Sequence, residues 1–572
     1  RETRRALLHG FTETELKRHK ADIMQSVEND YKEREKTKSG TLASRYVYNF
    51  LDQNPIPGPE QRLHLYQELL PAITLEDINP LPQRWLTDSN RVAIVTGPEH
   101  EETPLPSREE ILDLLDQIDT MNLEPYVDKI NDAPLIEEAL SPVPIVSRKI
   151  LDSLSITLIE LSNGVKAYLK PTDFQNDEIL MSAFSPGGHS LYSLEEYYSA
   201  ANAAAIIDQS GLGEFSMPEL QKKLAGKTAS AGPYINELYE GVSGSSDQEG
   251  LETMLQLVYL YFTEPRRDSA AFLSYLSRQA SIFENMMDNP YYYYADVKNR
   301  IKYKDNPRRQ ITTLEDLRQI SLDEVIHIYQ ERFANAGDFT FVFVGNFKPE
   351  TLEPLIATYL GNLPSSGRRE SWKDVGAGLA EGHVDTTIIK GEAPKALVEM
   401  NYHGAFEYGG LQRYHFYSLL SALRIRLREA LREDKGGVYG VNVNGIALPF
   451  PTPHYRITLS FNSEPERTQE MIATAREVIS TVQNQAVDED ILKKVKETQR
   501  QNRIKNLEEN GFWLGQISTR LQYGIALEGI MLEKYEPYIE SLTVDDIQKA
   551  ARRYLQEDDF IQVVLMPEEG QD

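Results

Sequence analysis

Two residues with usable chemistry stand seven apart in an otherwise unremarkable stretch, Leu423-Arg-Ile-Arg-Leu-Arg-Glu-Ala-Leu-Arg432-Glu-Asp-Lys-Gly-Gly-Val-Tyr439-Gly. Arg432 is a permanent cation with a fixed fork of donors, and the Tyr439 hydroxyl donates one directed hydrogen bond. Gly436 and Gly437 would let the chain turn tightly between them. Taken alone, the pair also fits a surface arginine on a basic helix and a tyrosine in a strand core. A hydrolytic zinc site would need two histidines at i and i+4 on one helix, so that both imidazoles reach one ion, with a glutamate between them to activate its water. The ten histidines stand at 9, 19, 64, 100, 189, 327, 383, 403, 415 and 454; none forms His-x-x-Glu-His and no two are four residues apart. Asp208 is the one carboxylate in the second half of the helix expected from Leu194 to Ser210, and one carboxylate makes no zinc site. His189, beside Gly188, reads as an ordinary loop histidine. The chain has no cysteine, which removes thiol nucleophiles, disulfides and Cys-ligated zinc. Neither a Gly-x-Ser-x-Gly elbow nor a Gly-rich phosphate loop occurs.

The elements that position these residues recur along the chain. Thr74-Leu-Glu-Asp-Ile78 precedes Arg84-Trp85 and the apolar run Val92 to Val95. Ser321-Leu-Asp-Glu-Val325 precedes Arg332-Phe333 and Phe339 to Val344. Thr543-Val-Asp-Asp-Ile547 precedes Arg553-Tyr554 and Phe560 to Leu565. Each opens as a helix N-cap with acidic residues in the first turn, and each closes on a strand-like run. A long polar helix lies upstream of each: Thr12 to Glu35, Asp268 to Met287, and Asp488 to Glu508. The copies lie 247 and 222 residues apart, so the repeating unit is a whole domain. The first copy has too little chain before it to be complete. The chain also starts at Arg1 rather than at a methionine, so it is expected to be a piece of something longer.

Within the second copy, Ile156 to Leu161 and Val165 to Leu169 form a hairpin around Ser162-Asn163-Gly164. A strand from Ile179 to Phe184 follows, and then a helix from Ser193 capped with Glu196 and ending near Gly211. The last copy should carry a strand at Ala396 to Tyr402 and a helix from Leu411 to Glu433. The resulting fold class is α+β, in repeated two-layer domains with mainly antiparallel sheets covered by helices. Four segments are expected. Residues 1–97 are the truncated end of one domain and 98–150 a linker. Residues 151–372 form a non-catalytic domain and 373–572 the last one. The formal charge of −28 argues against nucleic acid as a partner. No long apolar run indicates a transmembrane segment. Tyr291 to Tyr294 read as packing or the lining of a cavity, and Asp305-Asn-Pro-Arg-Arg309 as a loop.

Three stretches carry a resemblance: the strand–Asn163-Gly164–strand hairpin leading to Ser185-Pro-Gly-Gly188, the run Lys390-Gly-Glu-Ala-Pro-Lys395 before a strand, and the Arg432–Tyr439 segment. Together and in this order they resemble the pitrilysin/insulysin-type zinc peptidases, the inverzincins. The resemblance implies the C-terminal part of a long bacterial zinc metalloendopeptidase. Four domains in two halves would then enclose a chamber for peptides or unfolded segments. Zinc would sit in the N-terminal domain missing from this chain, on an inverted motif this chain lacks, so none is expected bound here and the chain alone would be inactive. Arg432 and Tyr439 would reach across the chamber, bind substrate and stabilise the oxyanion. The implied partners are the N-terminal half of the same peptidase and peptide or unfolded protein substrates, which would add a strand to a sheet edge, and the implied location is the periplasm. The alternative is a non-catalytic partner subunit or a structural homologue of the same fold.

Overall fold

The computed structural model describes residues 1–87, 92–96, 105–129, 131–284 and 286–568, without the side chains of Asp119 and Tyr439. Thr12 and Glu15 form a capping box and start α1 (Glu13–Lys32), in the first of the expected long polar helices. Helix α2 (Ser39–Asp52) follows, with no side chain buried. Next in this first copy, the helix after Thr74 is broken into Leu75–Ile78 and Leu81–Trp85. Pro80 and Pro82 cause the break, since neither offers the N–H that a continuous helix needs. The expected strand at Val92 to Val95 does not form; Val92 is 81% and Ile94 80% exposed. A strand needs a neighbour to satisfy its backbone, and among the described residues this copy has no sheet. Gly97 and the first residues of the linker lie outside the described residues. Further along, Ser107 caps α3 (Arg108–Thr120). The end of the expected linker is already sheet, because Ile145–Leu151 forms edge strand β1.

The first sheet contains β1, β2 (Ile156–Leu161), β3 (Lys166–Pro171), β4 (Ile179–Pro186), β5 (Ala229–Ile235), β6 (Tyr239–Ser246) and β7 (Thr340–Gly345), in the order β1-β2-β3-β7-β4-β6-β5. Its turn between β2 and β3 is the predicted one. Gly164 takes φ +91°, a left-handed conformation that a β-carbon would strain, and Asn163 accepts a hydrogen bond from the Val165 N–H at 3.2 Å. Helices α4 (Tyr197–Ser210), α5 (Leu251–Thr263), α6 (Ser269–Glu284), α7 (Pro290–Lys302) and α8 (Leu322–Phe333) lie between β4 and β7. Ser193 and Glu196 exchange the predicted capping bonds, one turn ahead of where α4 becomes regular.

The second sheet repeats this plan. Strands β8 (His383–Ile389), β9 (Ala396–Ala405), β10 (Val438–Leu448), β11 (His454–Ser463) and β12 (Phe560–Met566) run in the order β10-β11-β9-β12-β8. Helices α9 (Gly410–Arg428), α10 (Thr468–Asn484), α11 (Glu489–Asn506), α12 (Asn510–Gln522), α13 (Leu532–Ser541) and α14 (Val544–Tyr554) complete the unit. Strands β3, β4, β5, β6 and β7 match β8, β9, β10, β11 and β12 in order and sense. One parallel pair occurs in each, β3 with β7 and β8 with β12; the other pairs are antiparallel.

The two units clasp each other. The middle of each sheet is buried on one face under its own helices and on the other under a helix of the neighbouring unit. Trp513 and Ile517 of α12 pack against Phe184, Val342 and Val344 of the first sheet. Tyr294, Val297 and Ile301 of α7 pack against Ile561, Val563 and Leu565 of the second. This divides the run of four tyrosines. Tyr294 is buried and donates to the Val563 carbonyl at 3.1 Å, whereas Tyr291, Tyr292 and Tyr293 remain exposed. Beneath α7, the ammonium groups of Lys298 and Lys302 meet Glu399 at 2.7 and 2.9 Å. Burial works against the Glu399 carboxylate, but the two lysines outweigh it and bring its pKa down to about 2. Helix α1 docks on the first unit through Lys32 and Asp177, 2.7 Å apart.

Candidate functional site

Arg432 and the Tyr439 backbone sit where α9 gives way to β10. Apolar residues of α9, Leu423 and Leu427, are fully buried, and Leu431 carries that anchoring on beyond the helix end. The expected helix to Glu433 is α-helical only to Arg428. Glu429–Asp434 widens into a π-helical turn, a form often found at functional sites. Arg432 projects from this turn into solvent and has no ion pair among the described residues. The loop behind it is fixed. The Gly437 N–H donates to the Leu431 carbonyl at 3.1 Å, and Arg467 donates to the Lys435 carbonyl at 3.2 Å. Gly436 has φ +58°, and a β-carbon on Gly437 would lie 2.2 Å from the Met471 sulfur.

Strand β10 is an edge strand, paired only with β11 among the described residues. Its register slips between Val438 and Val441, so Tyr439 and Gly440 occupy a β-bulge. Bulges of this kind re-aim side chains and cluster near active sites. The Tyr439 side chain lies outside the described residues. The structure therefore brings the Arg432 turn and the Tyr439 backbone to the same end of one open strand.

The α4 position does not fit a metal. Ala203, Ala204, Ile206 and Ile207 present hydrocarbon and are buried. Asp208 accepts a hydrogen bond from the Tyr261 hydroxyl at 2.5 Å, which ties its carboxylate to the core. Among the described residues no group of three or more histidines, aspartates or glutamates could hold a metal ion.

Sequence reasoning missed a buried ionic cluster at the end of β4. Arg332, noted above only as part of the repeated Arg-aromatic pair, is 2% exposed. Its guanidinium lies 3.0 Å from Glu370 and 3.9 Å from Glu240, and it donates to the Tyr192 hydroxyl at 2.9 Å. Burial pushes Glu240 up to about 7 against the pull of Arg332. The Gly188 N–H donates to Glu240 at 2.6 Å, and a β-carbon on Gly188 would lie 2.2 Å from the Asn236 carbonyl oxygen. The glycine pair after Pro186 was the available signal. Next to it, burial and then Arg308 lower the His189 pKa to about 4. Arg308, read above as a loop residue, is itself buried and donates to the carbonyls of His189 and Tyr192.

Residues 319–499 match the family model for the peptidase M16 inactive domain. A zinc protease PQQL-like protein of Arabidopsis thaliana is 23% identical over 593 residues, covering 99% of this chain and 59% of the relative. The structure of the periplasmic protease PqqL from Escherichia coli superposes with a TM-score of 0.68 at 20% identity, covering 99% of this chain and 62% of that one. A peptidase M16 inactive domain from Pseudomonas fluorescens superposes with a TM-score of 0.60 at 16% identity, over 73% of this chain and 99% of that one. These comparisons support the M16 peptidase family that the hairpin, the Lys390–Lys395 run and the Arg–Tyr stretch resembled, with the inactive-domain match confined to residues 319–499. It spans 59% of the length of the Arabidopsis relative. Among the described residues no helix is long and apolar enough to cross a membrane.

Proposed function

We propose that this chain is the C-terminal part of a zinc metalloendopeptidase and forms half of a chamber that binds peptides or unfolded segments. The observation that carries this reading is the bulged edge of β10, open among the described residues, with Arg432 at its entrance and without an ion pair among them. An extended peptide adds to such an edge through main-chain hydrogen bonds. Arg432 and Tyr439 then hold the substrate and donate to a peptide carbonyl oxygen as negative charge develops on it. Zinc belongs to an N-terminal partner domain bearing His-x-x-Glu-His, because the α4 residues of this chain do not fit it. In this reading residues 1–97 end the domain before the linker, 98–150 link the halves, and 151–372 and 373–572 are the two peptidase-like domains of this half. Phe50 on α2, 84% exposed, and Trp85, 70% exposed, support it, since a domain's own sheet would cover them. The periplasm is the proposed location, by analogy with the Escherichia coli protease.

The test is cleavage of unfolded peptides with added zinc, by this chain alone and mixed with an N-terminal half carrying the motif. Cleavage should appear only in the mixture. Arg432→Ala and Tyr439→Phe should each lower kcat by roughly 100-fold, the cost of removing one oxyanion donor. Cleavage by this chain alone, or full activity in both variants, would overturn the proposal. A second reading, a non-catalytic subunit that completes the chamber of a separate zinc-bearing chain, is favoured by the match to the Pseudomonas chain, nearly all of which aligns here. It predicts a stable complex with a zinc-bearing chain in which both variants leave kcat unchanged.

A further inference from the structure

A cleft of about 320 Å³ opens beside β10, walled by α9 and α11 and reaching Asn444 and Gly445 of the strand. Its charged residues are Arg424 and Arg503, and no carboxylate lines it. Neither arginine has an ion pair among the described residues, in a chain whose formal charge is −28. Arg424 spends one N–H on the Val443 carbonyl at 2.6 Å and is otherwise exposed. Arg503 stacks on Tyr535, 3.9 Å from the ring centroid, and donates to the Ile530 carbonyl at 3.2 Å. Tyr417 and Ser421 continue the wall along α9, and Asn502 and Asn506 along α11.

Further cations crowd this region. Arg413 stands one turn before Tyr417 on α9, and Arg520 lies on α12. The Nε atoms of Arg413 and Arg520 are buried without a hydrogen-bond partner among the described residues. Burial lowers the pKa of Arg520, and the charges of Arg413 and Arg503 lower it further. Mutually repelling guanidiniums without a counter-charge favour an anion brought from outside.

We infer that this cleft receives the acidic side chain of an extended peptide paired along β10, so that the chamber selects substrates with Asp or Glu at a set distance from the reacting bond. The inference rests on the peptide-binding reading above. Asn444 is five residues beyond Tyr439, so the anchor lies roughly 17 Å along the strand from the bulge. Asn502 and Asn506 supply neutral amide donors beside the two guanidiniums.

The test uses the full chain and labelled unstructured peptides, acetylated and amidated so that neither terminus is charged. A single glutamate is moved position by position through a glutamine background, and binding is read by fluorescence anisotropy at low and high salt. Glutamate at one position should bind roughly tenfold more tightly than glutamine, as a hydrogen bond to a charged group gives, and the advantage should shrink in high salt. Arg424→Gln and, independently, Asn502→Asp should bring the ratio close to one. Equal binding at every position, or a preference that survives both substitutions, would overturn the acidic anchor while leaving edge binding intact. If no peptide binds at all, the peptide-binding reading falls with it.

Discussion

Replacing Glu399 by glutamine should destabilise the protein by about 3 kcal/mol at neutral pH, and by progressively less in acid. Glu399 is the only carboxylate within ion-pair distance of Lys298 and Lys302 among the described residues, and its side chain is 13% exposed. Two routes give similar magnitudes. Removing one partner of a buried pair typically costs about 3–5 kcal/mol, because the other charge is left without compensation. Linkage gives about 3 kcal/mol, from a carboxyl near 4.5 when unfolded and held at about 2 when folded. A depressed carboxyl contributes stability that is present above its unfolded pKa and is lost as pH falls through its folded pKa. The difference between wild type and Glu399→Gln should thus be full at pH 6–7, narrow below about 4.5, and vanish near 2. Urea titrations at several pH values measure it, with the transitions of the two units fitted separately. Replacing the pair with hydrocarbon, Lys302→Met with Glu399→Leu, should cost less than Glu399→Gln alone, since it removes one of the two ammonium groups that would be left uncompensated. A loss under about 1 kcal/mol at pH 7, or one that is unchanged at pH 3, would refute the claim that this pair holds α7 to the second sheet.

Trp513→Ala should cost about 3–5 kcal/mol, because it empties a buried site on the far face of the first sheet. It also removes the ring 4.4 Å from the Lys170 ammonium. Limited proteolysis should then cut between the units, and an unchanged digestion pattern would count against the clasp. Glu240→Gln should change the pH dependence in the opposite sense to Glu399. A carboxyl raised to about 7 in the folded state makes the protein less stable as pH rises from about 4.5 to 8, and the glutamine variant should lose that slope. Thermal melting across that range decides it, and a slope retained by the variant would place the titrating group elsewhere.

Local chemistry was the legible part of this chain. The Thr12–Glu15 and Thr543–Asp546 capping boxes, the Asn163-Gly164 turn and the strand at Phe560 depend on neighbours within a few residues, and the structure has them where the sequence put them. Pro80 and Pro82 make the broken helix at Asn79-Pro80 legible too. Contacts made across the two units were not. Nothing near Tyr294 marks it as the one tyrosine of four that is buried, since its cover is Val563, far along the chain. Arg332 looks like any helix-end arginine until Glu240 and Glu370 are brought to it by the sheet and the chain after β7. The Arg432 turn lay inside a correctly placed helix, but its widening into π geometry depends on how Leu431 packs. The bulge at Tyr439 depends on how β11 pairs.

The clasp limits where a substrate can bind. With α7 laid over the second sheet and α12 over the first, the middle strands of each sheet are covered on both faces, and main-chain recognition is left to the edges. The counterpart edges β5 and β10 differ in what they offer. Strand β5 carries Pro233, which has no N–H to give an incoming strand. Strand β10 has no proline from Val438 to Leu448, begins in a bulge beside an unpaired arginine, and runs past a cationic cleft. Two repeats of one fold have thus diverged at the same strand. If the edge is the working surface, placing a proline at Val441 of β10, which shares the alternation of Val443 whose carbonyl takes a bond from Arg424, should weaken peptide binding far more than the same change on β5, where Pro233 already interrupts the donor row.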